Sequence, residues 1–189
     1  MPAADPGYFG KLPSRGDFLS RRVPPAIAAA WDGWLAGLTT AVRDAAGDAW
    51  PDVWLTAPLW HFALGASVLG ASAAGVSRVP GPGAAGLLIA SVDRVGRMFP
   101  FTIIGPCTGV PEPAWSAAIE ALALDALAAD FDPGTLDCAL ITLGPAPATA
   151  ALPADATRWW CRGSDRMPPT QMQFVGLPDA DACAAMVLG

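Results

Sequence analysis

An α/β layered domain with a mixed sheet is the fold class this sequence predicts, and three observations carry it. Strand-like apolar pieces alternate with segments of helical period, the pattern that layers helices on a sheet. The pieces Leu59–Leu64, Ala85–Ser91 and Phe99–Ile104 are apolar at successive positions, not alternate ones, as in strands covered on both faces. The length, 189 residues, suits a single domain. A domain of that size buries roughly 70% of its unfolded surface and needs neither disulfide nor metal for stability.

Each element has its own cue. Gly7-Tyr8-Phe9-Gly10-Lys11-Leu12-Pro13 reads as a short strand entering a Pro-Ser-Arg-Gly turn, after which Asp17-Phe18-Leu19 resumes extended structure. Pro24 and Pro25 stand where a helix start tolerates proline, because the missing N–H has no partner there anyway. From Ala26 onward Ile27, Trp31, Trp34, Leu35, Leu38 and Val42 recur at helical spacing, and Gly47 offers a stop. Trp50-Pro51-Asp52-Val53-Trp54 reads as a second helical turn. The three apolar strands follow, with Pro80-Gly81-Pro82-Gly83 as a turn before the second. Pro113 to Asp130 is the clearest helix, with Trp115, Ile119, Leu122 and Leu127 on one side. Leu136 to Leu143 and Thr157 to Arg162 read as strands, separated by a Pro-Ala loop over 145–153. Pro178 to Leu188 reads as a last helix, with Asp179 and Asp181 suited to the positive end of its dipole.

Composition raises the question of a membrane, since the chain is 53% hydrophobic and 15% charged, with mean hydropathy +0.39. Soluble domains carry about 25% charge. Val53 to Ser77 holds no Asp, Glu, Lys or Arg and is long enough to span a bilayer. Pro58, His61, Gly65, Ser67, Gly70, Ser72 and Gly75 interrupt it, and alanine and glycine contribute little transfer free energy. Two short buried strands joined by a glycine turn are expected there, with no membrane insertion. MPAADPGYF has neither a basic nor an apolar leader region. Cys107, Cys138, Cys161 and Cys183 form no CxxC pair, so they are expected as reduced core thiols in a cytoplasmic protein. A net charge of −6 argues against nucleic acid, whose binding needs a basic face.

Motifs for chemistry are sparse. No GxxxxGK[ST] occurs, and no GxGxxG opens a helix. The lone histidine, His61, sits within Leu59-Trp60-His61-Phe62-Ala63-Leu64 and reads as a strand residue with a satisfied or edge-exposed imidazole. Asp130 and Asp132 beside Pro133-Gly134 read as a helix-ending turn. No catalytic residue, metal or cofactor is expected. Trp159 and Trp160 are adjacent, so in a strand one faces the core and the other a helix layer or solvent. Two polar clusters remain, Lys11–Asp17 and Ser91–Arg97. The candidate residues there are Lys11, Arg15, Asp17, Asp93, Arg94 and Arg97. One reading is a structural ion pair, Asp93 or Asp17 accepting from Arg94, Arg97 or Arg15 and pinning the two loops together. Another is a recognition surface for a protein partner, where arginine is a favoured anchor. A third is an enzyme or nucleotide-binding domain in which Lys11, Arg15, Arg94 and Arg97 hold phosphate.

The clusters and their flanks resemble the TagF family, proteins associated with bacterial type VI secretion. The resemblance rests on Gly7-Tyr8-Phe9-Gly10-Lys11-Leu12-Pro13-Ser14-Arg15-Gly16-Asp17-Phe18, on the helix with Trp31-Asp32 and Leu35, and on Leu55 to Leu64. Ser91-Val92-Asp93-Arg94-Val95-Gly96-Arg97-Met98-Phe99-Pro100-Phe101-Thr102-Ile103 resembles a third block, and Trp159-Trp160 through Gly176-Leu177-Pro178 to Gly189 resembles the family's ending. His61 stands where the family often has arginine, and Met98 where an aromatic is common. The resemblance spans nearly the whole chain and implies one TagF-like domain over residues 1–189, a single-domain α/β/α layered sandwich. It also implies a cytoplasmic, non-enzymatic repressor that acts after translation by binding a forkhead-associated-domain scaffold protein, alongside a threonine kinase and phosphatase pathway. Some relatives are fused to the phosphatase; here it is expected on a separate polypeptide. The two clusters are expected to lie together and to form part of that contact or to brace it.

Overall fold

The computed structural model describes residues 5–69 and 83–189. The strands among them are β1 (Gly7–Gly10), β2 (Leu19–Arg21), β3 (Trp60–Leu64), β4 (Ala84–Ile89), β5 (Phe101–Pro106), β6 (Gly109–Pro111), β7 (Ala148–Ala151), β8 (Ala156–Cys161) and β9 (Thr170–Val175). The helices are α1 (Pro25–Ala46), α2 (Trp50–Leu55), α3 (Pro113–Ala126), α4 (Pro133–Leu143) and α5 (Ala180–Leu188). Seven strands form one sheet in the order β2-β1-β5-β4-β3-β8-β9, and β6 pairs with β7 as a separate ribbon.

Strand pleating sends successive side chains to opposite faces, and here both faces are covered. Trp60, Phe62 and Leu64 of β3, Leu88 of β4 and Trp159 of β8 turn to one side, where α1, α2 and α5 pack with Trp31, Leu35, Trp54, Cys183 and Met186. Leu87 of β4 and Phe101 and Ile103 of β5 turn to the other side, against Trp115 and Ile119 of α3 and Leu136 and Leu140 of α4. The result is the expected α/β/α layering. Tryptophans crowd the first side. Trp31 lies 4.9 Å from Trp34 and 5.1 Å from Phe62 between ring centroids, and stacks on Trp159 at 6.4 Å. Their indole N–H groups are satisfied, Trp31 by Thr102 Oγ1 at 3.2 Å, Trp54 by the Ser91 carbonyl at 2.9 Å and Trp60 by the Met186 carbonyl at 2.8 Å.

The structure corrects several details. The sheet is antiparallel at each of its pairings and not mixed. The physical reason is connectivity: β1–β2, β4–β5 and β8–β9 are sequence neighbours joined by fully described connections without the crossover helix that a parallel pair requires. Residues 136–143, expected as a strand, belong to α4, which begins at Pro133 and buries Leu136 and Leu140 at helical spacing. Asp132-Pro133-Gly134 is therefore a helix start and not only a helix end. Part of the 145–153 loop is β7, and β6 and β9 had no expectation. Asp179 caps α5, its side chain accepting from the Ala182 N–H at 2.9 Å. Cys138 is exposed, whereas Cys107, Cys161 and Cys183 are buried as expected. Residues 70–77 of the charge-free run and Pro80-Gly81-Pro82 lie outside the described residues. Among the described residues no helix is long and apolar enough to cross a membrane, and no group of His, Cys, Asp and Glu is placed to hold a metal ion.

Candidate functional site

Topology brings the two polar clusters together. Lys11 to Phe18 connects β1 to β2, and Ala90 to Pro100 connects β4 to β5. β1 pairs antiparallel with β5, Gly10 lying opposite Phe101, so both connections leave the sheet at the same end. Close approach of the strands there demands glycine. A Cβ on Gly10, whose φ is +124°, would collide with the Pro100 carbonyl oxygen.

Asp93 is the hub of this junction. Its side chain is wholly buried, and Lys11 Nζ, itself nearly buried, donates to Oδ2 at 2.9 Å. Arg97 Nε donates to the same oxygen at 2.7 Å, while the backbone N–H groups of Val95 and Arg97 donate to Oδ1 at 3.0 and 2.9 Å. Burial opposes ionisation of this carboxyl, but Lys11, Arg97 and the two N–H groups outweigh it and hold it well below the usual carboxylate range. The other end of the Arg97 guanidinium reaches across to the Gly16 carbonyl. The Arg94 N–H donates to the Arg15 carbonyl at 2.9 Å, stitching the loops backbone to backbone. Three of the candidates, Lys11, Asp93 and Arg97, thus form the brace.

The other three lie on the outside. Arg15, Asp17 and Arg94 are exposed. Arg15 meets Asp132, just before α4, at 3.5 Å, a solvent-screened contact of little energetic weight. Among the described residues neither Asp17 nor Arg94 has a side-chain ion pair. Phe18 stands beside them, 45% exposed, propped edge-on against Phe99 at 4.7 Å with Lys11 Nζ 5.5 Å from its ring centre. Val95 is also exposed. The surface is therefore Arg15, Arg94 and the exposed part of Arg97, with an aspartate, an aromatic ring and a valine, on a rigid base. Two of the four cations considered for phosphate, Lys11 and Arg97, already share the Asp93 carboxylate.

A second polar group lies on β3 and β8, toward the β9 edge of the sheet, and of its polar residues only His61 was weighed as a candidate from sequence. His61 is buried on β3, stacked on Trp160 of β8 at 5.5 Å, and donates through Nε2 to Glu120 Oε2 of α3 at 2.8 Å. Burial is the largest influence on this imidazole and lowers its pKa, against the raising effect of Glu120. Neutral imidazole then carries its proton on Nε2, and Nδ1 is buried without a partner. Arg162 also approaches Glu120, at 3.5 Å. His61 and Trp160 line a groove of about 300 Å³ with Val110, Pro111, Arg158 and Arg162. Glu120 and Arg158 carried no sequence motif. Their relation to His61 is made by the pairing of β3 with β8 and by α3 packing over the sheet, which spacing along the chain does not reveal. As expected of the tryptophan pair, Trp159 is core and Trp160 faces the groove.

Comparison with known proteins bears on both polar groups. The family described as the TagF N-terminal domain, type VI secretion system-associated, matches residues 7–143, a span that includes both polar turns and His61. Among solved structures the chain is similar to PA0076 from Pseudomonas aeruginosa PAO1, at 31% identity and a TM-score of 0.80 over 96% of this chain and 93% of that one. No curated protein matches it. The chain therefore belongs to the TagF family of type VI secretion system-associated proteins.

Proposed function

We propose that this protein is a cytoplasmic, non-enzymatic, post-translational negative regulator of type VI secretion that binds a forkhead-associated-domain scaffold and withholds it from the secretion machinery. It acts in this reading alongside a threonine kinase and phosphatase pair. The observation that carries the reading is the junction itself. A buried carboxylate locks two family-matched turns into a fixed surface and leaves Arg15, Asp17, Phe18 and Arg94 facing outward. Rigid loops presenting arginine and an aromatic ring lose little entropy on association, which favours protein contact. No general base stands beside a nucleophile in that surface.

The test is a pulldown of purified scaffold by this protein. Arg15→Glu and Arg94→Glu reverse exposed charges without touching Asp93, and each is expected to reduce capture at least about tenfold while leaving the melting curve unchanged. Arg97→Ala is expected to reduce both capture and stability, because it loosens the brace. Undiminished capture by folded Arg15→Glu and Arg94→Glu proteins removes the junction from the interface.

A further inference from the structure

The two edges of the sheet are built differently. β2 is three residues long, whereas β9 has six, Thr170-Gln171-Met172-Gln173-Phe174-Val175, without charge, proline or bulge. Its register with β8 runs unbroken from Ala156 opposite Val175 to Cys161 opposite Thr170. Among the described residues no strand pairs with its outer side, and no backbone hydrogen bond beyond the β8 ladder involves residues 171–175. Native proteins usually blunt such an edge with lysine, proline or a bulge, because its open N–H and C=O groups template another strand. This edge is left uncharged and regular.

The two faces beside it carry different chemistry. Met172 and Phe174 are half-buried against the tryptophan core. Gln171 and Gln173 are exposed on the opposite face, next to Trp160 and Arg158 of β8. The core under α3 and α4 takes no residue from β8 or β9, and beside β8 this face is a groove walled by the start of α3 and the β6–β7 ribbon. Arg158 and Arg162 line its groove, and no acidic residue does. Glu120 accepts from His61 and offsets Arg162, while among the described residues Arg158 has no ion pair and supplies the groove's net positive charge. In a chain of net charge −6, the groove is a local cationic site beside an open strand edge.

We propose that the β9 edge and this groove form a docking site for an extended acidic segment of another protein, which joins the sheet as a strand beside β9. Main-chain hydrogen bonds supply affinity in this mode, and alternate side chains supply specificity. One set of the segment's side chains lies against Met172 and Phe174 and is apolar. The other set projects over Gln171 and Gln173 and is acidic. Two strand spacings, about 10 Å, separate β8 from the added strand, a gap that arginine from one side and glutamate from the other can bridge. In sheet order β3 and β8 stand between the β9 edge and β4, whose connection to β5 carries Asp93 and Arg94, so the added strand does not touch the junction.

The test is an NMR titration of the isotope-labelled protein with a peptide of alternating glutamate and valine. Saturable shifts are expected at the amides of residues 171–175 and at the Trp160 indole N–H, weakening as salt is raised. A peptide of alternating lysine and valine is expected to bind at least about tenfold more weakly. The same loss is expected when prolines replace the valines, since proline cannot donate to the edge. The double variant Arg158→Gln, Arg162→Gln is expected to lose about tenfold in affinity for the acidic peptide with its fold intact. No saturable shift at millimolar acidic peptide, shifts that map elsewhere, or equal binding of the acidic, basic and proline peptides overturns the proposal.

Discussion

Asp93 is an acid whose surroundings are arranged to keep it charged out of water. A buried carboxylate is costly unless it is paired and hydrogen-bonded, and here four donors from two loops converge on its two oxygens. Removing it strands the Lys11 ammonium in a nearly dry position. Asp93→Ala is therefore expected to destabilise the protein by about 3 kcal/mol, measured by urea denaturation. Because folding depresses this pKa, its contribution is fully present above the ordinary value of 3.8 and falls away as pH drops further. The wild-type protein should lose stability below about pH 4 more steeply than Asp93→Ala does. At this scale the sequence was legible in part. Six candidates were visible because charge is scarce, but which aspartate was the hub was not. Asp17 is exposed and Asp93 buried, and nothing in the residues adjoining either distinguishes them.

Among the elements, α4 shows where periodicity fails. Leu136 to Leu143 is apolar at most positions, so periods of 2 and 3.6 fit it about equally well. Pro133 at the first helical turn was the deciding cue. As a strand, residues 136, 138 and 140 would share one buried face. As a helix, Leu136 and Leu140 are buried and Cys138 points out. Thiol labelling of the folded protein separates the two: Cys138 is expected to react rapidly and Cys107, Cys161 and Cys183 to stay protected. Burial also pushes the Cys183 thiol up to about 12, leaving little thiolate to react. Cys138→Ser should abolish the fast phase.

Across the whole molecule, the family match and the folding unit do not coincide. Residues 7–143 match the family, yet β8 pairs with β3 at the middle of the sheet and α5 packs on α1. Trp159, Cys183 and Met186 belong to the same core as Trp31 and Phe62. A chain ending at Leu143 exposes that face and leaves β3 as an apolar edge. It is expected to lack a cooperative melting transition and near-ultraviolet tryptophan signal, whereas the full chain shows both. Local sequence determined much of this protein: the helix starts at Pro25 and Pro113, the apolar strands β3, β4 and β5, the two polar turns and the family they announce. These follow from residue types acting on their own neighbours. The antiparallel order of the sheet, the choice of Asp93 over Asp17, the pairing of His61 with Glu120 and the open edge at β9 were decided only in the tertiary structure. Each depends on which distant segments lie side by side, and strand pairing sets that through hydrogen bonds between segments far apart in the chain.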